Sequence, residues 1–157
     1  MAAYEMNHFK ESYQNQVLAN AKAFAKALAA YGLNVAGDPE ISYTETHQVI
    51  LNVGYAKGPE IARRLEENNI IVNYQASPAD EGFTASGSLR MGVQEMTRFG
   101  MKEPHFQQLA HLIAEAIGGN RTVKEKVLQF RKDFLEMRYS FSMDQFTDLI
   151  DRLYRLI

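Results

Sequence analysis

At 157 residues, with 46% hydrophobic and 23% charged side chains, the chain has the makeup of one globular domain around a single core rather than of a disordered segment. A net charge of -2 gives no electrostatic pull toward nucleic acid or an anionic membrane, and the lack of cysteine excludes a disulfide framework, a thiolate nucleophile and cysteine-ligated zinc. No run approaches the ~18 apolar residues of a membrane span, and Met1–Lys10 lacks the basic flank and apolar core of a secretion signal, so a soluble, cytoplasmic chain is expected.

In chain order, Phe9, Tyr13, Val17, Ala21, Phe24, Leu28 and Tyr31 recur at helical spacing, with Gly32 as a C-terminal cap. This first helix is long, so part of its stripe is expected to pack outside the chain. Asp38-Pro39 marks a turn. Residues His47 to Val53 alternate, with Val49, Leu51 and Val53 on one face, and read as a strand. Gly58-Pro59 opens a helix that buries Ile61 and Leu65 and ends near Asn68-Asn69; a strand is expected from Ile70 to Tyr74. Pro78, Asp80, Gly82 and Ser86 make Gln75–Gly87 a loop leading to a strand over Ser88–Met91.

A short helical turn follows through Gln94–Phe99, closed by Gly100. Pro104 then starts a firmer helix with Phe106, Leu109, Ile113 and Ile117 inward, as far as Gly118-Gly119. Thr122-Val-Lys-Glu125 has the form of a capping box before a stripe of Val123, Val127, Phe130, Phe134 and Met137. Ser142-Met-Asp-Gln145 has the same form before Phe146, Leu149 and Leu153. No repeat, low-complexity tract or interdomain linker interrupts the chain. The order predicts an α+β fold: a long N-terminal helix, a small, mostly antiparallel sheet with helices packed on one face, and a helical C-terminal tail. Three segments are expected: the long helix (1–32), a small domain (33–119) and the tail (120–157), packed on that domain or at an interface.

Most informative is Thr84 to Glu103, where Arg90 stands in an apolar strand framed by glycines. A guanidinium is a planar fork, charged at any working pH, that pairs two-pronged with a carboxylate; half-buried and unpaired it would be costly. Two readings follow from the residues alone, a structural ion pair with a carboxylate such as Glu95 or capture of a small carboxylate ligand. His47 on a strand reads more simply as a satisfied histidine than as a base. His8, His105 and His111 have no metal-ligand spacing, and no metal site is expected. Arg63-Arg64 with Glu66-Glu67 reads as a solvated helix face. The tail aromatics Phe130, Phe134, Tyr139, Phe141 and Phe146 read as core or an oligomer interface.

The run from Ser86-Gly87 through Arg90, Gly92 and Thr97 to Gly100-Met-Lys-Glu103 resembles a motif of the C-terminal domain of serine hydroxymethyltransferases, pyridoxal-phosphate enzymes of the aspartate-aminotransferase type. The resemblance extends in collinear order over roughly residues 7 to 117. Tyr13–Lys22 with Ala25–Leu28 is similar to the family's interdomain helix, His47 with Val49–Val53 to its His-containing strand, Glu60–Leu65 to its next helix and Asn69–Asn73 to its "Val-Asn" strand. The tail from Asn120 carries nothing diagnostic.

The resemblance implies that Arg90 binds the carboxylate of an amino-acid substrate, with Gln75, Phe83, Ser86 and Ser88 near the pocket and Thr97 and Gly92 shaping the turn. It implies pyridoxal phosphate as cofactor, whose ring takes up the electron pair as a one-carbon or aldehyde unit leaves or joins the α-carbon. The family reaction interconverts serine and glycine with tetrahydrofolate. Two departures stand against a simple transfer. Gln75 occupies a place where the family usually has Asn, in a folate-holding region with a slightly shorter loop, which counts against folate and leaves room for aldolase or transaldolase chemistry. None of Lys10, Lys22, Lys26, Lys57, Lys102, Lys124, Lys126 and Lys132 has the Thr-rich setting of the cofactor lysine, nor is there a strand aspartate for the pyridine nitrogen. No catalytic residue is therefore assigned. The expectation is a C-terminal domain or fragment that works with a pyridoxal-phosphate-binding large domain or subunit in a homo- or hetero-oligomer. The alternative is a noncatalytic small-domain module for binding or assembly.

Overall fold

The computed structural model describes residues 2–78, 80, 85–120 and 123–155. It begins with α1 (Ala2–Ala30), whose apolar stripe buries Val17, Ala21, Phe24 and Leu28. The helix stops where Gly32 takes φ 79°, a left-handed conformation that costs glycine little. Gly32 N–H then donates to the Ala29 carbonyl and Leu33 N–H to that of Leu28, which satisfies the last turn. Tyr31 lies past the helix, half exposed, with its ring 5.2 Å from that of His111.

Four strands follow: β1 (Asn34–Val35), β2 (Gln48–Asn52), β3 (Asn73–Gln75) and β4 (Ser88–Gly92). They form one antiparallel sheet in the order β1-β2-β4-β3. Between the first two, Pro39–Ile41 makes a 3-10 turn capped by the Asp38 carboxylate, which accepts from Glu40 N–H. Between β2 and β3 runs α2 (Gly58–Glu67), with Pro59 in its first turn. After β4 come α3 (Gln94–Arg98), α4 (Glu103–Ile117), α5 (Val123–Arg131) and α6 (Met143–Tyr154).

The expected α+β architecture is the one observed. Val49 and Leu51 of β2 and Leu89 and Met91 of β4 share one face and join Phe24, Leu28, Leu65, Phe106 and Ile113 in a single core. Each of these side chains contributes roughly 1.5–3 kcal/mol by leaving water. The helices thus cover one face of the sheet, and the alternate residues of β2 and β4 point to the other.

Three boundaries differ from expectation. The strand expected at Ile70–Tyr74 lies at Asn73–Gln75, because Asn69 adopts φ 61° and Ile70 N–H donates back to the Leu65 carbonyl. Ile70 is consumed as the buried residue of a helix C-cap, and Ile71 is left 86% exposed. The two-residue β1 has no alternation to reveal it. Finally, α5 ends at Arg131, short of the stripe that runs to Met137: the chain turns there, buries Phe134 and leaves Met137 exposed. The capping box at Ser142 is present, with Ser142 N–H donating to Gln145 Oε1 at 3.0 Å and Gln145 N–H to Ser142 Oγ at 3.3 Å. The box expected at Thr122 lies outside the described residues.

Other expectations resolve by packing. Arg64 pairs with Glu60 and also donates to the Ile117 carbonyl at 2.8 Å, tying α2 to the end of α4, so this arginine is more than a solvated charge. In the tail, Phe134 is core, and Phe141 lies within 5.3 Å, ring to ring, of Tyr4, His8 and Phe9 on the first turns of α1. No described residue of α6 is buried, although Phe146, Leu149, Ile150 and Leu153 lie on one side of it.

Candidate functional site

Arg90 occupies the middle of β4, the inner strand between β2 and β3, directly opposite Ile50 on one side and Asn73 on the other. Its neighbours Leu89 and Met91 point into the core, so pleating sends Arg90 to the face the helices leave open. The half-buried placement inferred from the sequence is corrected here: Arg90 is exposed. Among the described residues it has no hydrogen-bond or ion-pair partner, and Glu95 is not paired with it. The residues that share its face, Gln48, Ile50, Asn52, Asn73, Gln75 and Ser88, are all uncharged. A cation in that setting keeps both prongs of its fork for an incoming anion.

The other expected pocket residues gather at the entry to β4. Ser88 is fully buried and donates from Oγ to Asn52 Oδ1 at 2.9 Å; Gln75 is its cross-strand partner and half-buried. Ser86 is placed through its backbone, its carbonyl accepting from Gly58 N–H at 2.8 Å at the start of α2. Phe83 lies outside the described residues. Asp80, which was not singled out as a site residue, clips this segment: its Oδ2 accepts from Ser77 N–H at 2.6 Å and from Gly87 N–H at 3.1 Å. Those bonds, the Ser77 amide first, hold its carboxyl below the ordinary value of 3.8.

Beyond β4 the rest of the motif is structural. Thr97 is buried, and Gly100, at φ 93°, lets Met101 N–H close α3 on the Met96 carbonyl. Lys102 caps α4, its N–H donating to His105 Nδ1 at 2.9 Å, and Glu103 accepts from Gln16 Nε2 at 3.0 Å. His47 is exposed, and what β4 uses of it is its carbonyl, which accepts from Val93 N–H. Tyr13 donates its hydroxyl to the Gln94 carbonyl at 2.9 Å, and burial pushes its phenol pKa up, against a smaller downward pull from Arg98. An open groove of about 1020 Å³ runs between α4 and α5 past His105, Lys126 and Arg138; Arg90 does not line it. Among the described residues no group of three His, Asp or Glu side chains could hold a metal ion.

A family model of serine hydroxymethyltransferase matches residues 2–113, which takes in α1, the whole sheet, Arg90 and most of α4. The chain belongs to the serine hydroxymethyltransferase family. Serine hydroxymethyltransferases of Pyrobaculum aerophilum and Saccharolobus islandicus are 42% and 43% identical to it over 96% and 95% of its length. In both cases the match covers 35% of the relative, so the chain spans about a third of the length of the curated relatives it matches. The crystal structure of L-threonine transaldolase from Pseudomonas fluorescens in internal aldimine state superposes with a TM-score of 0.83 at 30% identity, covering 96% of this chain and 36% of that one. Both long matches run well past the family model, so the tail without a recognisable motif belongs to the shared fold.

Membership of this family implies pyridoxal phosphate as the cofactor. The residues of this chain do not by themselves fit the cofactor. Lys22 is half-buried and every other lysine is exposed, so none stands in an enclosed pocket where an imine could be shielded from water. No helix among the described residues is long and apolar enough to cross a membrane.

Proposed function

We propose that this chain is the small, C-terminal domain of a serine hydroxymethyltransferase-like enzyme and that Arg90 binds the carboxylate of its amino-acid substrate. The observation that carries this is a fully charged fork, exposed, without a partner among the described residues and ringed by uncharged neighbours, in a stretch shared with enzymes about three times as long. A two-pronged contact fixes the orientation of an amino acid as well as its position, and the order at β4 supplies the rigidity. Pyridoxal phosphate, bound mainly by a large domain that this chain does not contain, would supply the electron sink for bond breaking at the α-carbon. Ser86, Ser88 and Gln75 would border the approach, and Gln75 in place of Asn favours aldol-type transfer of an aldehyde over a folate-dependent one-carbon transfer. The whole assembly would be cytoplasmic and oligomeric, with α1 as the connection between domains.

The test is reconstitution. The chain would be combined with the pyridoxal-phosphate-binding portion of the Pyrobaculum aerophilum relative, and glycine-dependent change in cofactor absorbance followed. Arg90→Lys is expected to weaken glycine at least tenfold, since a point charge replaces a fork; unchanged affinity in Arg90→Ala would refute the carboxylate role. The other reading, a noncatalytic assembly module, draws on α6, where Phe146, Leu149 and Ile150 are only half-buried and Leu153 is exposed. It expects binding to the partner without any amino-acid-dependent spectral change.

A further inference from the structure

Asn20 is a polar residue in the apolar stripe of α1, between Val17 and Phe24, and it is 0% exposed. A buried amide costs free energy unless its donors and acceptor are matched, and here they are. Its Nδ2 donates to Thr97 Oγ1 at 2.8 Å and to the Met101 carbonyl at 2.9 Å, while its Oδ1 accepts from Gln16 Nε2 at 3.0 Å. Thr97, also 0% exposed, passes the connection on by donating from Oγ1 to the Val93 carbonyl at 2.7 Å. Val93 is three residues beyond Arg90, and its own N–H donates to the His47 carbonyl at the start of β2.

The corner that ends β4 is therefore held from two sides, by β2 through His47 and by α1 through Asn20 and Thr97. A leucine at position 20 would serve the apolar stripe as well, so burial alone gives no reason for an amide there. What the amide adds is direction: matched hydrogen bonds between buried groups admit one register, where apolar contacts tolerate sliding. We propose that Asn20 and Thr97 are positioning residues for Arg90, locking the end of β4 to α1 so that the guanidinium keeps one place on the open face of the sheet. This rests on the carboxylate role argued above; neither residue reaches that face, and both act through the backbone of β4.

The test is amide hydrogen exchange, read by NMR on the full 157-residue chain. Thr97→Val keeps the shape and removes the hydroxyl; Thr97→Ser keeps the hydroxyl. Thr97→Val is expected to speed exchange at Leu89–Met91 at least tenfold relative to Ala62–Leu65 of α2, which share no bond with the network, and Thr97→Ser to restore it. Equal acceleration in β4 and α2, or none in β4, overturns the proposal. If Thr97→Val does not fold, Gln16→Met, which strips the half-buried outer bonds to Asn20 and Glu103 and leaves the core intact, is expected to produce the same selective loosening, and its failure to do so counts equally against the idea. Arg90→Lys should leave the exchange pattern unchanged. The coupling is thus scored separately from carboxylate binding, which the reconstitution assay reads.

Discussion

Adding one methyl group at Gly58 should destabilise the chain measurably, although Gly58 is not among the glycines with positive φ. A Cβ built there falls 2.5 Å from the Ser86 carbonyl oxygen and 3.1 Å from Tyr74 Cβ. The first is backbone held in a strand entry, so the carbonyl must retreat by several tenths of an ångström, and it is the same carbonyl that accepts from Gly58 N–H at 2.8 Å. Overpacking of this kind costs about 1–3 kcal/mol and the lost hydrogen bond about 0.5–1.5, against a helix-propensity gain of at most ~1 that is smaller in a first turn. Taken at mid-range, the net loss is about 2–3 kcal/mol, or a fall in Tm of roughly 4–12 °C at 2–4 °C per kcal/mol. Thermal and urea melts of Gly58→Ala would measure it. Gly32→Ala is the comparison, because its Cβ meets nothing within 4 Å and only its φ of 79° is strained, a cost of about 1 kcal/mol. If Gly58→Ala melts at or above the parent, the close approach of α2 to the Ser86 strand entry is wrong.

Asp80 has a depressed carboxyl, so its clip is at full strength above the ordinary value of 3.8 and is lost as pH falls through its lower folded value. Protection of the Ser77 and Gly87 amides, taken relative to their intrinsic exchange at each pH, should accordingly fall below about pH 4 in the parent and be low and insensitive to pH over that range in Asp80→Asn; a flat parent profile would dismiss the clip. Leu28→Ala removes a side chain of 0% exposure from the centre of the α1 stripe and should cost about 2–5 kcal/mol in a urea melt, with less than ~1 kcal/mol contradicting its place in the core. Phe141→Ala strips the ring that meets Tyr4, His8 and Phe9, so proteolysis and exchange should rise in the first turns of α1 while Tm moves little. A cooperative loss of the whole fold would mean that this contact belongs to the core.

Much of this molecule is written locally. Periodicity located α1, α2 and α4, because a buried stripe at helical spacing has no other use, and alternation located β2. Glycines and capping residues marked ends that the backbone then used: Gly32, Gly100 and the Ser142 box. The motif around Arg90 identified the family. What local pattern could not convey is which groups meet at a distance. Ile70 reads as a strand residue until it is seen closing α2 on Leu65, and the stripe past Arg131 reads as helix until the chain turns to bury Phe134. Asp80 gave no signal, since a loop carboxylate becomes a clip only when the amides of Ser77 and Gly87 converge on it. Nor did Asn20, whose Nδ2 finds its two acceptors 77 and 81 residues away.

By itself the sequence determined the helices, the α+β class, the family and the candidate arginine, because each rests on residue type and short-range spacing. Tertiary structure alone decided that Arg90 is exposed rather than half-buried, that Glu95 does not neutralise it and that its strand is pinned to the first helix. Those are properties of register and packing. A strand slipped by one residue would turn Arg90 into the core, and only the pairing of β4 with β2 and β3 sets which way it points.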